Sequence, residues 1–535
     1  VSLLNAAIVS HNYAEATPVM RTKQSVINIV VSCTSYLILM LCTFITRGVF
    51  SRVLGLDYVG VESTFLNLVS MLAIVELGLG TGIIYKLYKP IADGDNRKIG
   101  MLLRFYKQSY LLIAAIVFVL GIVAAFIAPQ LVHDKQFPKT ELAVYFMFYV
   151  LDVLASYLYA HKRALLTADQ RNFLNSFAHM VAQVAACILQ VAVLLLFQSM
   201  FLYLLVKVGG RLLENLLISH FYQKRYPHIE YRRADRLDPD EKTDLFSNIK
   251  ALLMHRIASF SLQSTSSVII MYFQNSVAAG IYGNYTLITN ALINLSNQIY
   301  NGILASFGNL ITTESKEKTL RNFNALYLLN YLIFSFFSIG LFVLSGPFME
   351  LWIGKDAAFS VEIVLLITVY LYLMGMRQSV FMARSSAGLY RQDRWFAIGE
   401  AVLNLVLSLI FIQFWGVIGI VAANIISLLA IPFWTQPRIV CRYVLGASLR
   451  RYYLQYVIYA AATLVSGAAT YLICSLIPVT GAFARLVCYF FVCLIVPNGI
   501  SLLLFRKTEG FQYLLEAAKR FLSGLRASRS AKRGA

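Results

Sequence analysis

Residues 47–107 read RGVFSRVLGLDYVGVESTFLNLVSMLAIVELGLGTGIIYKLYKPIADGDNRKIGMLLRFYK and contain an apolar span from about Gly60 to Tyr85. A dense basic segment follows this span, with Lys86, Lys89, Arg97, Lys98, Arg104 and Lys107. An apolar run of about 20 residues is long enough to cross a bilayer as a helix, and basic residues collect at cytoplasmic ends. The stretch therefore predicts a transmembrane helix whose C-terminal end faces the cytoplasm.

The composition extends this interpretation to the whole chain. Of the 535 residues, 59% are hydrophobic and only 13% are charged, whereas a soluble domain carries about 25% charged residues. A larger core would not explain this deficit, because a soluble surface would still need its charges. We predict an all-α polytopic membrane protein. The net charge of +20 is assigned to loops on one membrane face, so no nucleic-acid partner is predicted.

Fourteen apolar runs are predicted to span the membrane, at about 26–46, 60–85, 109–132, 141–160, 173–198, 200–222, 249–273, 280–305, 322–345, 360–383, 396–414, 416–436, 453–477 and 483–504. With a cytoplasmic N-terminus, and with Lys250 and Arg485 counted in the adjoining loops, 36 Lys and Arg fall in cytoplasmic segments and 6 outside. This bias supports both the number of spans and two cytoplasmic termini.

A weak internal repeat supports a division near the middle of the chain. A shift of 223 residues places Gly60 on Gly283 and Asn67 on Asn290. The segment DYVGVEST then overlies GIYGNYTL, and each segment lies at the start of an even-numbered span. The pattern predicts two pseudo-symmetric six-helix lobes plus two C-terminal helices. The predicted segments are an N-terminal tail 1–25, an N-lobe 26–222, a linker 223–248, a C-lobe 249–436, a terminal helix pair 453–504 and a basic tail 505–535.

Cationic side chains within or beside the spans are candidates for binding an anionic head group. Buried charge in a membrane is costly and usually faces a bundle interior or an aqueous cavity. On span 6, spacings of four and three residues place Lys207, Arg211 and Glu214 on one helix face. Structural alternatives stay open, since these residues could instead form an ion pair, snorkel or anchor at the interface. The candidates for anion binding are Lys207, Arg211, Arg256, Arg47 and Arg377.

Neutral polar side chains form two further stripes. Span 8 carries Asn290, Asn294, Asn297 and Asn301, and span 5 carries His179 and Gln183. Such stripes suit either a water-filled cavity that offers hydrogen bonds to sugars or hydrogen bonding between helices.

Three carboxylates within spans are candidates for coupling to a proton or another cation, namely Glu76, Asp152 and Glu214. Each could instead neutralise a buried arginine. There is no phosphate-binding loop typical of ATP hydrolysis and no catalytic constellation, so we predict no enzymatic activity, no cofactor and no metal site.

Residues 53–95 and the segment AAGIYGNYTLITN at 278–290 resemble the polysaccharide-transporter branch, with the Wzx-type repeat-unit flippases, of the multidrug/oligosaccharidyl-lipid/polysaccharide exporter superfamily. The resemblance implies a bacterial inner-membrane protein that moves an undecaprenyl-pyrophosphate-linked oligosaccharide to the outer leaflet by alternating access. It also implies a central cationic cavity, and polymerase or glycosyltransferases of the same pathway as possible partners.

Three rival functions remain at this stage. A cation-coupled drug or metabolite antiporter would be expected to have an acidic cavity, and spans 6, 7 and 10 carry more Arg and Lys than carboxylates. A membrane-embedded polymerase or ligase would be expected to have large outer loops, and the longest here are about 15 residues. A peptidoglycan-precursor flippase fits the sequence as well as a flippase for polysaccharide units.

Overall fold

The computed structural model describes residues 18–76, 79–134, 136–229, 237, 265–516 and 519. Within these ranges the regular structure is helical and there is no strand, which confirms the all-α prediction. Residues 265–273 are also helical. The α-helices with both ends described are α1 (Pro18–Leu54), α2 (Leu56–Leu72), α3 (Leu79–Asp93), α4 (Asn96–Ile127), α5 (Lys139–Leu158), α6 (Ala160–Ala168), α7 (Asn172–Phe197), α8 (Met200–Arg225), α9 (Ser276–Thr313), α10 (Lys316–Trp352), α11 (Val361–Met376), α12 (Gln378–Ser386), α13 (Tyr390–Ala430), α14 (Pro432–Val440), α15 (Leu449–Leu476) and α16 (Ala482–Phe505).

The chain is a multi-pass membrane protein. Nine helical segments in the described ranges are long and apolar enough to cross a bilayer: Thr34–Leu54, Asn96–Leu131, Lys139–Leu158, Asn172–Phe197, Lys316–Trp352, Val361–Ser386, Gln392–Leu445, Leu449–Leu476 and Ala482–Phe505. These nine cover ten of the fourteen predicted spans, because Gln392–Leu445 contains both 396–414 and 416–436.

Three of the other four predicted spans are less apolar or less regular, and the fourth, at about 249–273, lies largely outside the described residues. Three charged side chains interrupt α8, and asparagines lower the hydropathy of α9. The predicted span 60–85 contains α2, a 3₁₀ turn at Ala73–Glu76 and the start of α3 at Leu79, so it is not one regular α-helix.

The chain divides into two compact units, one of Val1–Tyr58 with Glu62–Phe260 and the other of Val59–Val61 with Ser261–Ala535. In this division the last two helices, α15 and α16, belong to the second unit. The finer domain limits expected from the sequence stay predictions.

In the first unit, α7 packs against both α1 and α8. A tight turn joins α7 to α8, in which Gln198 has a φ of 50° and the Ser199 hydroxyl accepts a hydrogen bond from the Leu202 amide. A Cβ added at Gly210 would lie 2.8 Å from the Ala186 Cβ, so α7 and α8 approach closely at this point. Small residues permit such close contacts between membrane helices.

In the second unit, α13 reverses direction at Gly416, whose φ of 55° and ψ of −134° are not helical. Glycine tolerates this positive φ without the strain that a Cβ would add. The two arms then run side by side, since the Asn404 amide donates to Asn424 Oδ1 at 2.8 Å and to Ser427 Oγ at 3.1 Å. The reversal lies where the sequence separates the eleventh predicted span from the twelfth.

An aromatic core holds α10 against α15 and α16. The ring of Tyr331 stacks on Tyr459 with centroids 4.7 Å apart, and Phe505 meets both rings edge-on. The Tyr331 hydroxyl also lies 2.9 Å from the hydroxyl of Ser501 on α16. The aromatic contacts and this hydrogen bond fix the C-terminal helices to the second unit.

Candidate substrate-binding site

Helix α8 presents two opposite faces. Leu212 and Leu216 lie on its exposed face, whereas Lys207, Arg211 and Glu214 lie on the other side, roughly 100–180° around the helix. The charged side chains are half-buried or buried, with Glu214 buried. The predicted single face of span 6 is thus present, and it points into the first unit and away from the leucine surface.

The first group of charges surrounds Glu62 and is named the Glu62 cluster. Arg47 on α1 forms an ion pair with Glu62 on α2, and both side chains are buried. The Tyr203 hydroxyl donates to Glu62 Oε1 at 3.1 Å, and Lys207 Nζ lies 3.8 Å from the same oxygen. Lys207 Nζ also lies 4.5 Å from the ring centroid of Tyr149. Two predicted cations, Arg47 and Lys207, therefore meet at Glu62, a carboxylate that was not among the predicted site residues.

The second group surrounds Glu214 and is named the Glu214 cluster. Glu214 Oε1 lies 3.0 Å from Arg163 Nη2, and Oε2 lies 2.9 Å from Arg211 Nη1 and 3.0 Å from His179 Nδ1. Arg211 Nε lies 3.0 Å from Asp152 Oδ1. The structure thus brings together four predicted residues, two of them proposed for ion coupling, in one network with Arg163.

Arg163 is a member of this cluster that sequence reasoning missed. The predicted spans 141–160 and 173–198 leave it in a loop between them, but it lies on the short helix α6. Its Nη2 also donates to Asn215 Oδ1 at 2.8 Å, and the Asn215 amide donates to the Ala155 carbonyl at 2.7 Å. Asn215 therefore anchors Arg163 to α5 and α8. The sequence signal was a basic pair, Lys162 and Arg163, directly after an apolar span.

Two predicted residues of the first unit lie beside the Glu214 cluster without a described ion pair to it. Glu76 ends the 3₁₀ turn after α2 and accepts a hydrogen bond from the Tyr110 hydroxyl at 2.8 Å. Gln183 is half-buried on α7, one helical turn after His179 and on the same face.

Arg377 belongs to a separate network in the second unit. Its guanidinium donates to both carboxylate oxygens of Glu400, at 3.0 and 3.2 Å, and to Gln436 Oε1 at 2.8 Å. The Gln436 amide donates to Asp393 Oδ2 at 3.0 Å, and Asp393 forms an ion pair with Arg384. Arg384 and Asp393 are each only 1% exposed. These contacts favour a structural role for Arg377, one of the two alternatives left open by the sequence.

The asparagine stripe follows α9. Asn290, Asn294 and Asn301 are exposed, whereas Asn297 is half-buried and accepts a hydrogen bond from Gln378 on α12. Exposed amides on a helix of a membrane protein need polar surroundings, because lipid offers them no hydrogen-bond partner. The three exposed amides suit the first alternative, a polar surface, whereas the bond of Asn297 to Gln378 is an example of the second, hydrogen bonding between helices.

Arg256, the fifth predicted cation, lies outside the described residues. In the described part of the chain, no group of three or more His, Cys, Asp or Glu side chains could hold a metal ion. A cavity of about 140 Å³ in the first unit does not involve the predicted site residues, since its lining consists of Ile91, Gly94, Asn96, Ile99, Leu165, Asp169, Tyr226, His228 and Ile229.

Comparisons with known proteins agree with the resemblance seen in residues 53–95. Residues 25–307 match the family described as "Polysaccharide biosynthesis protein". No curated protein matches the chain.

Solved structures show a shared fold. The lipid II flippase MurJ in an inward closed conformation is similar with a TM-score of 0.64 and 12% identity, covering 90% of this chain and 99% of MurJ. An inward-facing multidrug resistance MATE family transporter of the MOP superfamily is similar with a TM-score of 0.58 and 14% identity, covering 77% of this chain and 98% of the transporter. A variant of the Vibrio cholerae MATE transporter VcmN is similar with a TM-score of 0.53 and 13% identity, covering 79% of this chain and 98% of VcmN.

Proposed function

The chain belongs to the polysaccharide biosynthesis protein family, and on that premise we propose that it is a flippase for lipid-linked oligosaccharide repeat units in a bacterial cytoplasmic membrane. The proposed substrate is an undecaprenyl-pyrophosphate-linked oligosaccharide destined for capsule, exopolysaccharide or O-antigen. The protein would move its head group to the outer leaflet without making or breaking a covalent bond, with both termini in the cytoplasm.

One structural observation favours an anionic over a cationic substrate. In the two clusters of the first unit, each carboxylate already contacts a guanidinium, in the pairs Arg47–Glu62, Arg211–Asp152 and Arg163–Glu214. A cationic drug would have to compete with a covalently tethered arginine for these carboxylates. A phosphate faces a similar competition, but Arg163 and Arg211 are more exposed than their carboxylate partners, so an approaching anion reaches them first.

The physical task of a flippase explains why such groups lie within a membrane protein. A pyrophosphate cannot cross hydrocarbon unpaired, because burying an isolated charge is very costly. Guanidinium groups match the geometry of phosphate oxygens and are weakly hydrated. An inside-negative potential further favours outward movement of an anion, by about 2.3 kcal/mol per charge per 100 mV.

The sugars need a different kind of surface. Asn290, Asn294 and Asn301 offer exposed amides that both donate and accept hydrogen bonds. Hydroxyl groups of an oligosaccharide need both kinds of partner. We propose this stripe as the sugar-contacting surface of the flippase.

The proposal is tested by following the lipid-linked intermediate in cells depleted of the protein. The intermediate is labelled, and its accessibility from outside the membrane is measured. We expect the intermediate to accumulate on the inner leaflet of depleted cells. Wild-type protein should restore its accessibility from outside, and Arg211→Gln should not. Lys318→Gln serves as the matched control, because Lys318 forms an exposed ion pair with Glu314 and should support normal export.

Purified protein in vesicles then separates the rival functions. Wild type is given a polyprenyl-diphosphate oligosaccharide, a peptidoglycan precursor or a cationic dye with an ion gradient. Preferential movement of the oligosaccharide lipid supports the proposal. Movement of the peptidoglycan precursor alone would show a peptidoglycan-precursor flippase. Gradient-driven efflux of the dye alone would show a cation-coupled antiporter.

A further inference from the structure

The Glu214 cluster has the geometry of an occupied anion site. Two guanidiniums and an imidazole converge on the two oxygens of a single carboxylate, at distances from 2.9 to 3.0 Å. Charge-assisted hydrogen bonds of this length are the strong ones, and a phosphate group accepts the same kind of bond. The site is therefore built for an anion, and a side chain of the protein itself fills it.

Burial differs between the anion and its donors. The Glu214 side chain is 6% exposed, whereas Arg163, Arg211 and His179 are 23%, 21% and 38% exposed. The donors therefore stay accessible while the carboxylate lies behind them. An approaching anion would meet the guanidiniums and the imidazole before it met the carboxylate.

The site also has a fixed supporting structure. Asn215 binds Arg163 on one side, and Asp152 binds Nε of Arg211 on the other. If the carboxylate moved away, Arg211 would stay pre-oriented by its Nε bond to Asp152, with Nη1 left facing the vacated position. Arg163 would stay in place through its bonds to Asn215 Oδ1 and the Ser156 carbonyl, with Nη2 shared between Asn215 and the incoming anion. Pre-orientation lowers the cost of ordering side chains when a ligand binds.

We propose that Glu214 is a built-in competitor for a phosphate site formed by Arg163, Arg211 and His179. Substrate diphosphate displaces the carboxylate from these donors, and the carboxylate reclaims them when the diphosphate leaves. The competition keeps binding weak enough for release, which a transporter needs. This inference rests on the proposed function for the identity of the anion, but the site itself requires only a phosphate.

The test measures anion binding separately from transport. Inorganic pyrophosphate is titrated into full-length protein in nanodiscs, and the measurement is repeated with polyprenyl diphosphate in the disc. Glu214→Gln keeps the side-chain shape and removes the competing charge, so its dissociation constant for pyrophosphate should fall about tenfold. Arg163→Gln should weaken binding about tenfold and should cancel the gain when it is combined with Glu214→Gln.

Matched controls come from ion pairs elsewhere in the chain. Glu314→Gln removes a carboxylate from the exposed pair with Lys318, and Arg171→Gln removes a guanidinium paired with Asp169. Neither control should change pyrophosphate affinity. If Glu214→Gln fails to fold, Glu214→Asp decides the question, because the shorter side chain withdraws the charge from the donors and should also tighten binding.

The two proposals fail in different ways. Unchanged or weaker pyrophosphate binding in folded Glu214→Gln or Glu214→Asp overturns the competitor role, whatever the transport assay shows. If these variants bind pyrophosphate more tightly but the protein moves no polyprenyl diphosphate, the competitor role of Glu214 stands and the proposed flippase function is overturned. Binding of polyprenyl diphosphate but not of inorganic pyrophosphate would place recognition in the lipid, and would also overturn this site.

Discussion

The buried ion pair of Arg384 with Asp393 predicts a large and specific effect on stability. Both side chains are 1% exposed, and Asp393 also accepts a hydrogen bond from Gln436. Arg384→Met preserves much of the side-chain volume but leaves a carboxylate buried without its guanidinium. Removing one partner of a buried pair typically costs about 3–5 kcal/mol, because the remaining charge is uncompensated.

The matched control is Lys318→Met, which breaks the exposed pair with Glu314. An exposed pair of this kind contributes only about 0–1 kcal/mol. The double variant Arg384→Met/Asp393→Leu removes both buried charges and should recover most of the stability lost by the single variant. The ranking of the three variants therefore follows from burial and not from the number of ion pairs removed.

Unfolding in mixed detergent and SDS, followed by tryptophan fluorescence, measures these differences. All four tryptophans lie between residues 352 and 434, and Trp395 and Trp434 are two residues from Asp393 and Gln436 respectively. The signal therefore reports on the second unit. Equal losses in Arg384→Met and Lys318→Met, or no recovery in the double variant, would refute the reasoning.

Three further predictions use the same or similar assays. Gly416→Ala should lower the unfolding free energy by about 1–3 kcal/mol, because alanine at a φ of 55° is strained; an unchanged midpoint would contradict this. Gly375→Ala should cost about 1–3 kcal/mol, since its Cβ would overlap the ring of Phe334, whereas Gly499→Ala meets nothing within 4 Å and should be near neutral. Asn294→Leu should slow movement of oligosaccharide lipid in vesicles at unchanged thermal stability, and full transport would remove the asparagine stripe from the proposed site.

Hydropathy and charge predicted the helical architecture well, because lipid acts on each span separately. An apolar run must be helical in a bilayer whatever its neighbours are, so the turn near Gly416 could be placed from residues 396–436 alone. The break at Ala73–Glu76 was missed because a span of suitable length was taken as continuous.

Pairing between charges was the part that the sequence could not supply. Arg47 and Glu62 are 15 residues apart, and Arg163 and Glu214 are separated by more than 50 residues. Which faces of two helices meet depends on packing across the unit, and spacing along one helix contains no such information. Sequence spacing could therefore place Lys207, Arg211 and Glu214 on one face, but not the partners across from them.

The two-faced helix α8 has a consequence for how the protein enters the membrane. Each charged residue at the centre of a helix opposes insertion by about 2.5–3.5 kcal/mol, and α8 carries Lys207, Arg211 and Glu214. Helix α7 carries no Asp, Glu, Lys or Arg, and only Gln198 and Ser199 separate it from α8. The translocon would therefore release the two as a helical hairpin, with α7 supplying the hydrophobicity that α8 lacks. The polar face of α8 thus makes the insertion of this helix depend on its neighbour.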